Sequence, residues 1–228
     1  MKIEFLGTRG NIESSAPLYA KHSGVLIDEK ILLDFGEKEF LDRKPNCIFI
    51  THLHDDHAFF VAQEIGELRV PIFAPEKPYN LPSVMEISNR VTTDSHSLTP
   101  IPTLHSQKVK SVAYLVEYRS HRLLYTGDLI SIDKQYFKLI EDLDLVITDG
   151  SFMRRGGLIR RDKVSGNFYG HSGIPDIVNM FKELTGRIVF THFGSWFYKD
   201  IQNSKREIEE LGNRVTVKSA YEGLVVNI

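Results

Sequence analysis

Residues 47–60 read CIFITHLHDDHAFF: an apolar run stops and at once presents His52, His54, Asp55, Asp56 and His57. An apolar run of this kind is the pattern of a buried strand. Polar residues collect in loops, so the ordinary reading of the histidine-rich segment is a solvated turn. The spacing argues against it. In His-x-His-x-Asp-His, alternate side chains of one short loop can converge on a point while the next two serve a second point beside it. Imidazole nitrogen mixed with carboxylate oxygen suits zinc, bound at roughly 2.0–2.2 Å. The segment therefore predicts metal binding at the end of a buried strand.

A catalytic zinc needs about three protein ligands and an open position, so two adjacent ions need more than this loop supplies. Three further positions share one context, an apolar strand ending in a single ligand-type residue: IPTLHS at His105, RLLYTGD at Asp128 and RIVFTH at His192. A lone His after a strand is ordinarily a cap or a core residue. The threefold recurrence of the pattern makes these the candidates for completing the site.

The surrounding chain is organised to carry such a site. KIEFL, SGVLID, KILLDFG and NCIFITH read as successive strands. AFFVAQEIGEL, with Phe59, Phe60, Ile65 and Leu68 at mostly helical spacing, predicts a helix, and VPIFAP a strand. SVAYLVEYR and HRLLYTGD predict a hairpin, DKQYFKLIEDL a helix and DLVITDG a strand. GIPDIVNMFKELTG predicts a helix ending at Gly186, RIVFTH a strand, and KDIQNSKREIEELGN a charged amphipathic helix. Two blocks of strands with helices interspersed imply an α/β fold of stacked sheets covered by helices. No repeat of fixed residue period and no linker divides the chain. The one composition shift is the basic, glycine-containing stretch 153–173, read as a functional loop.

At 228 residues the chain can bury a substantial core, and sandwiches of this size commonly form one domain, here expected over 1–228. Its one cysteine, Cys47, lies inside an apolar run, which predicts no intramolecular disulfide, a small buried hydrophobe and a reducing compartment. The opening MKIEFLGTRG lacks the apolar stretch of a signal peptide, and no run of about 18 apolar residues occurs. A soluble, cytoplasmic protein with no membrane partner is expected. The formal net charge of -2 gives no global attraction to polyanions, so any such binding must come from a local patch.

LLDFG with Asp34, THLHDDH, LHS, TGD and THF occur in the order of the motifs of the metallo-β-lactamase superfamily, which the chain resembles along nearly its whole length. The resemblance implies a four-layer αββα sandwich with the site at one edge. Carried over residue by residue, it implies His52, His54 and His105 on one metal, Asp56, His57 and His192 on another, and Asp128 bridging them. Asp34 is implied to be a buried support, not a ligand. Asp55 is expected to be a solvated neighbour, and His22, His96 and His121 ordinary surface or loop residues.

Within the superfamily the chain most resembles the tRNase Z group of phosphodiesterases. FLGTRG is similar to that group's opening strand and turn, LLDFGEKEF to its Asp-x-Gly-Glu motif, and YGHSG to its Gly-His-Ser-Thr segment. THFGSWF is similar to its fifth motif, with Trp196 where an Arg is usual. The resemblance implies that His171 is the general acid that protonates the leaving oxygen, a task for a group titrating near neutrality, beside Asp56 as a catalytic carboxylate. The tRNA-gripping arm of that group has no counterpart, because the predicted hairpin consumes the segment between His105 and Asp128. Nor is there room after Asp128 for the extra domain of β-CASP nucleases, or after His192 for the helical extension of glyoxalase II. A smaller phosphodiester is therefore expected.

Two divalent ions about 3.5–4 Å apart acidify a bridging water and stabilise both the attacking and the departing oxygen, which favours phosphodiester hydrolysis. The expected function is a di-zinc phosphodiesterase, with manganese or iron as alternative ions. It would act on a nucleotide, cyclic nucleotide or short nucleic acid through a metal-bridging hydroxide. Hydrolysis of a carboxylic ester, thioester or lactone stays open, since the ions alone do not select phosphorus over carbon. A non-catalytic metal- or nucleotide-binding protein also stays open, although retention of all the ligand candidates speaks against it. A homodimer is allowed by the sequence. In MRRGGLIRRDK, Arg154, Arg155, Arg160 and Arg161, with Lys163 beside them, can pair with substrate phosphate, arginine in bidentate fashion. Two glycines inside the stretch and Phe168 and Tyr169 beyond it fit a mobile lid; a solvated charge run is the other reading.

Overall fold

Alternation along the strands decides which core each side chain joins. In Val112–Tyr118, Val112, Tyr114 and Val116 enter one apolar cluster while Ala113 and Leu115 enter another. Leu145 and Ile147 likewise part from Val146, and Ile3, Phe5 and Val25 from Leu6 and Leu26. Successive side chains of a strand point to opposite faces, so a strand buried on both faces reads as a continuous apolar run. That is why these segments lack polar alternation.

The computed structural model describes residues 1–228 except 64, 65, 67 and 94. Among the described residues, one sheet runs in the order Val225–Asn227, Lys2–Gly7, Gly24–Ile27, Ile31–Leu33, Cys47–Phe49, Ile72–Ala74, Met85–Glu86. It is antiparallel as far as Ile31–Leu33 and parallel beyond. The second runs Ser131–Ile132, Ser97–Leu104, Val112–Tyr118, His121–Tyr125, Leu145–Asp149, Arg187–Thr191, Thr216–Ser219, with Val91–Thr92 also pairing Ser97–Leu104. It turns parallel at His121–Tyr125. One apolar cluster, including Phe49, Tyr114, Tyr125 and Val189, draws on strands of both sheets and forms the layer between them. The expected α/β sandwich of two stacked sheets is the observed fold.

The outer face of the second sheet is covered by α1, Ile174–Phe181, and α2, Ile201–Glu210. α1 buries Ile174, Ile177, Val178 and Phe181, the spacing of one helical face, and carries a proline in its first turn. It ends before the predicted Gly186. α2 is capped by the Asp200 side chain, which accepts from the Asn203 amide at 3.0 Å. Two other predicted helices are not α-helical where the structure describes them. In AFFVAQEIGEL the described residues include a short 3-10 turn, Phe59–Val61, with Phe59 and Phe60 both buried and the chain held to Phe35, whose carbonyl accepts from the Phe59 amide at 2.9 Å. Ile65, placed on that helix by its spacing, lies outside the described residues. DKQYFKLIEDL forms a 3-10 turn at Lys134–Tyr136, with Asp133 as cap. The first sheet is thus covered by 3-10 turns, including Lys38–Arg43, which packs Phe40 inward. Cys47 is buried in the central layer. Among the described residues, no helix is long and apolar enough to cross a membrane.

Candidate metal centre

In α/β sheets, ligands collect in the crevice at the carboxyl ends of the strands. Cys47–Phe49 runs on into His52 and His54, His121–Tyr125 into Asp128, Leu145–Asp149 ends in Asp149, and Arg187–Thr191 runs on into His192. These strands pair in parallel, and Ser97–Leu104 delivers His105 to the same edge. All seven ligand candidates from the sequence converge there.

They form two groups. His52 Nε2 lies 3.0 Å from His54 Nδ1, which lies 3.4 Å from His105 Nε2. Asp128 Oδ2 closes this group at 3.6 Å from His52 and 3.5 Å from His105. The edge of a ligand tetrahedron around an ion with bonds of about 2.1 Å is about 3.4 Å, so the spacings fit zinc. In the second group His57 Nε2 and His192 Nδ1 lie 3.1 and 3.2 Å from Asp128 Oδ1. Asp56 Oδ2 is 2.8 Å from His192 Nε2 and 3.8 Å from His57 Nε2. Asp128 turns one oxygen to each group. His57 Nε2 and Asp128 Oδ1 are both buried and, despite their proximity, neither makes a hydrogen bond. An unsatisfied buried polar atom costs about 1–3 kcal/mol, and a shared cation would satisfy both. The residues present fit divalent ions.

Supporting bonds aim the rings. His105 Nδ1 donates to the Gly170 carbonyl at 2.9 Å, turning Nε2 inward. Asp34 accepts from His57 Nδ1 at 2.7 Å, from the Tyr125 hydroxyl at 2.8 Å and from the Thr51 amide at 2.7 Å. It is the buried support expected of it. Thr51 Oγ1 also contacts His52 Nδ1 at 3.0 Å, so one carboxylate orders the roots of both groups. Asp34 and His192 both have φ near 57°, a left-handed conformation that costs a non-glycine residue roughly 1–3 kcal/mol. Such strain concentrates at functional sites.

The same tight packing fixes Gly127, at φ +58°, where an added Cβ would meet Thr51 Oγ1 at 2.5 Å. Gly127→Ala is therefore expected to cost about 1–2 kcal/mol from the backbone alone, and more from the collision. It should lower the thermal midpoint and loosen metal retention against a chelator. An unchanged midpoint would show that Thr51 yields freely.

Electrostatics divides the cluster. Burial lowers the pKa values of His52, His54 and His105, and neighbouring imidazoles push the same way, leaving lone pairs for a cation. Burial also opposes charge on His57 and His192, but the facing carboxylates outweigh it, raising His192 to about 10 and His57 well above its ordinary value. Asp56, despite burial, is lowered to about 2 by His57 and His192. Asp128 is also held far down by the surrounding histidines against the effect of burial. A field that retains protons on two imidazoles is one that attracts divalent cations.

His171 sits beside the groups, its Nδ1 2.7 Å from Asp149 Oδ2 and 3.9 Å from Asp128 Oδ2. Asp149 is a site residue that the sequence motifs do not single out. Its carboxylate also accepts from the Leu129 amide at 3.1 Å and the Ser151 hydroxyl at 2.6 Å, and Ser151 Oγ contacts His192 Nδ1 at 2.9 Å. The signal was present, for LVITDG ends a strand in one acidic residue just as LLYTGD does. Burial opposes a charged His171, but Asp149 and Asp128 raise its pKa.

The remaining expectations divide. Asp55 is exposed and accepts from Asn11 at 2.9 Å, as a solvated neighbour would. His22 pairs with Glu37 at 2.8 Å, and His121 lies 3.6 Å from Asp144; neither belongs to the groups of candidate ligands. His96 is no surface residue. It is buried, with Nε2 2.8 Å from Asp28 and its ring stacked on Tyr118. The basic stretch is a hairpin rather than an irregular loop, Leu158–Arg161 paired with Phe168–His171. Arg160 lines a cavity with His54, His105 and His171, whereas Arg154, Arg155 and Arg161 line neither this cavity nor the smaller one beside it. Trp196 donates its indole N–H to the Gly150 carbonyl at 3.0 Å and, with Phe152, lines a cavity of about 250 Å³ over Asp56, Asp128 and His192.

Residues 37–193 match the family described as Beta-lactamase superfamily domain. The chain belongs to the β-lactamase superfamily. Its fold is shared with solved metallo-β-lactamase-fold proteins. YhfI from Bacillus subtilis is 20% identical over 99% of this chain and 98% of its own, with a TM-score of 0.72. A diphosphatase of the PhnP family is 16% identical over 100% and 97%, with a TM-score of 0.68. Human tRNase Z, short form, is 18% identical over 100% and 99%, with a TM-score of 0.67. No curated protein matches the chain in sequence. The metallo-β-lactamase fold implies divalent metal ions, and this superfamily member carries a His/Asp cluster able to hold them.

Proposed function

We propose that this β-lactamase-superfamily protein is a di-zinc phosphodiesterase acting on nucleotides, cyclic nucleotides or short nucleic acids. The observation that carries the reading is the division of one buried carboxylate, Asp128, between two groups of ligand atoms. His52, His54, His105 and Asp128 would hold one ion, and Asp56, His57, His192 and Asp128 the other. Such a pair supplies a nucleophile at neutral pH and neutralises charge on both the entering and leaving oxygens of an in-line displacement.

The chain's own residues supply the rest. Asp56, which lines the small cavity, would hold the second ion beside His192, its Oδ2 2.8 Å from His192 Nε2, while Ser151 Oγ, 2.9 Å from His192 Nδ1, orients that ring. Asp149 orients the His171 ring through Nδ1, leaving Nε2 to deliver a proton to the leaving oxygen. His171 lines both cavities at the site, where a leaving group would depart. Trp196 and Phe152 offer apolar surface to a base or sugar and exclude water from one side. A phosphorus centre is favoured because two proteins of similar fold are a diphosphatase and a tRNase Z.

Elemental analysis at saturating zinc is expected to give two ions per chain; one or none would sink the two-ion reading. The loaded protein should then hydrolyse phosphodiesters in preference to carboxylic esters, thioesters and lactones. Turnover of an ester or lactone with none of any phosphodiester would replace this function with carbon–oxygen hydrolysis.

A further inference from the structure

The hairpin Leu158–Arg161 with Phe168–His171 has two chemically different faces. Its register pairs Leu158 with His171, Ile159 with Gly170, Arg160 with Tyr169 and Arg161 with Phe168. Residues directly opposite in an antiparallel pair share a face, and successive positions alternate. Arg160 and Tyr169 therefore share the face of His171, while Ile159, Arg161 and Phe168 take the other. On that outer face Ile159 is 41% and Phe168 48% exposed, with the Arg161 guanidinium 5.8 Å above the Phe168 ring.

The inner face walls a cavity of about 490 Å³ lined opposite by His54, His105, Gln107 and Lys108. This cavity and the smaller one share His54, His105 and His171, so the two meet over the candidate ligands. Partners also distinguish the cations. Arg154 Nε donates to the Gly157 carbonyl, Arg155 lies 3.8 Å from Asp176, and Arg161 Nε donates to the Gly166 carbonyl. Among the described residues, the charged ends of Arg160 and Lys108 make no hydrogen bond or ion pair within the chain. Asp162, the carboxylate in this lining other than the metal-site groups, already accepts from the Val164 and Ser165 amides and the Ser165 hydroxyl.

We propose that this cavity is a subsite for a second anionic group of the substrate, held by Arg160 and Lys108 with Tyr169 beside them. The substrate is then a phosphodiester carrying a further phosphate on one of the groups it joins. The inference rests on the phosphodiesterase reading and narrows it. Arginine provides a planar fork for two phosphate oxygens and lysine a point charge, a combination suited to a terminal phosphate.

The test compares the dinucleotides ApA, pApA and ApAp as substrates of the zinc-loaded full chain. In parallel, calorimetry measures binding of adenosine 3′,5′-bisphosphate against adenosine 5′-monophosphate. A terminal phosphate at one end is expected to raise kcat/KM about tenfold or more, the size of a charge-assisted contact. The bisphosphate should bind tighter than the monophosphate by a similar factor. Arg160→Gln and Lys108→Gln should each shrink both ratios toward one, and rising salt should shrink them in the wild type. Equal ratios in wild type and both variants, or no advantage from a phosphate at either end, would overturn the subsite. If no dinucleotide is cleaved, the phosphodiesterase reading fails while the binding ratios still decide the subsite.

Discussion

Asp128→Ala is expected to lose at least one of two ions and to lower phosphodiester turnover by about 10²-fold or more. Its two oxygens face different ligand groups, at 3.1–3.2 Å on one side and 3.5–3.6 Å on the other. Even residues that only support a ligand are typically worth 10–100-fold in metal affinity or activity, so a carboxylate common to both groups should exceed that. The carboxylate also offsets charge on His57 and His192, and removing one partner from a buried charged set typically costs 3–5 kcal/mol. Lost activity in the alanine variant could therefore reflect unfolding. Asp128→Asn separates the two effects, because it keeps the shape and a carbonyl oxygen but removes the negative charge. It should retain the fold by circular dichroism and still lose metal on elemental analysis. Two ions with wild-type turnover in either variant would refute the bridging assignment.

His171→Ala is expected to slow hydrolysis of an alkyl or ribosyl phosphodiester by about 10² or more, a usual contribution of general-acid catalysis. A nitrophenyl ester, whose leaving group departs without a proton, should be nearly unaffected. The split between the two substrates is the signature, since a loss of metal or of fold would slow both alike. Metal content should stay at the wild-type value. His171 lies 3.9 Å from Asp128 and groups with Asp128, Asp149 and His192 as atoms that could themselves hold an ion. If both esters slow equally or an ion is lost, His171 is a ligand or a structural residue, and the proton-delivery step is wrong.

How far the site is legible depends on whether the chemistry is local. THLHDDH announces itself because five ligand-type side chains fall within one loop, and His105, Asp128 and His192 are recognisable from the apolar strands that precede them. Asp149 has the same context, but nothing local connects it to His171; the two come to 2.7 Å only where the hairpin end is anchored, the Ser172 amide donating to the Leu129 carbonyl and the Gly170 amide to the His105 carbonyl. Likewise composition marks 153–163 as basic, yet it cannot rank the arginines. That ranking comes from the pairing of Arg160 with Tyr169, since a slip of one residue would turn Arg161 toward His171 instead.

The fold divides in the same manner. Strands buried on both faces, such as Leu145–Asp149, are apolar throughout, and α1 shows its single buried stripe in the spacing of Ile174, Ile177, Val178 and Phe181, so local pattern alone identified them. The segment beginning AFFVAQ has helical spacing, but the tertiary core took both Phe59 and Phe60 and left a 3-10 turn. His96 reads as a loop residue until Asp28 is brought to 2.8 Å from a distant strand end and closes over it. The sequence by itself determined the layered fold and the ligand types, because periodicity and residue chemistry are local properties. Which carboxylate orients which imidazole, and which arginine faces the cavity, only the tertiary structure decided, because those depend on register and on contacts between strands far apart in the chain.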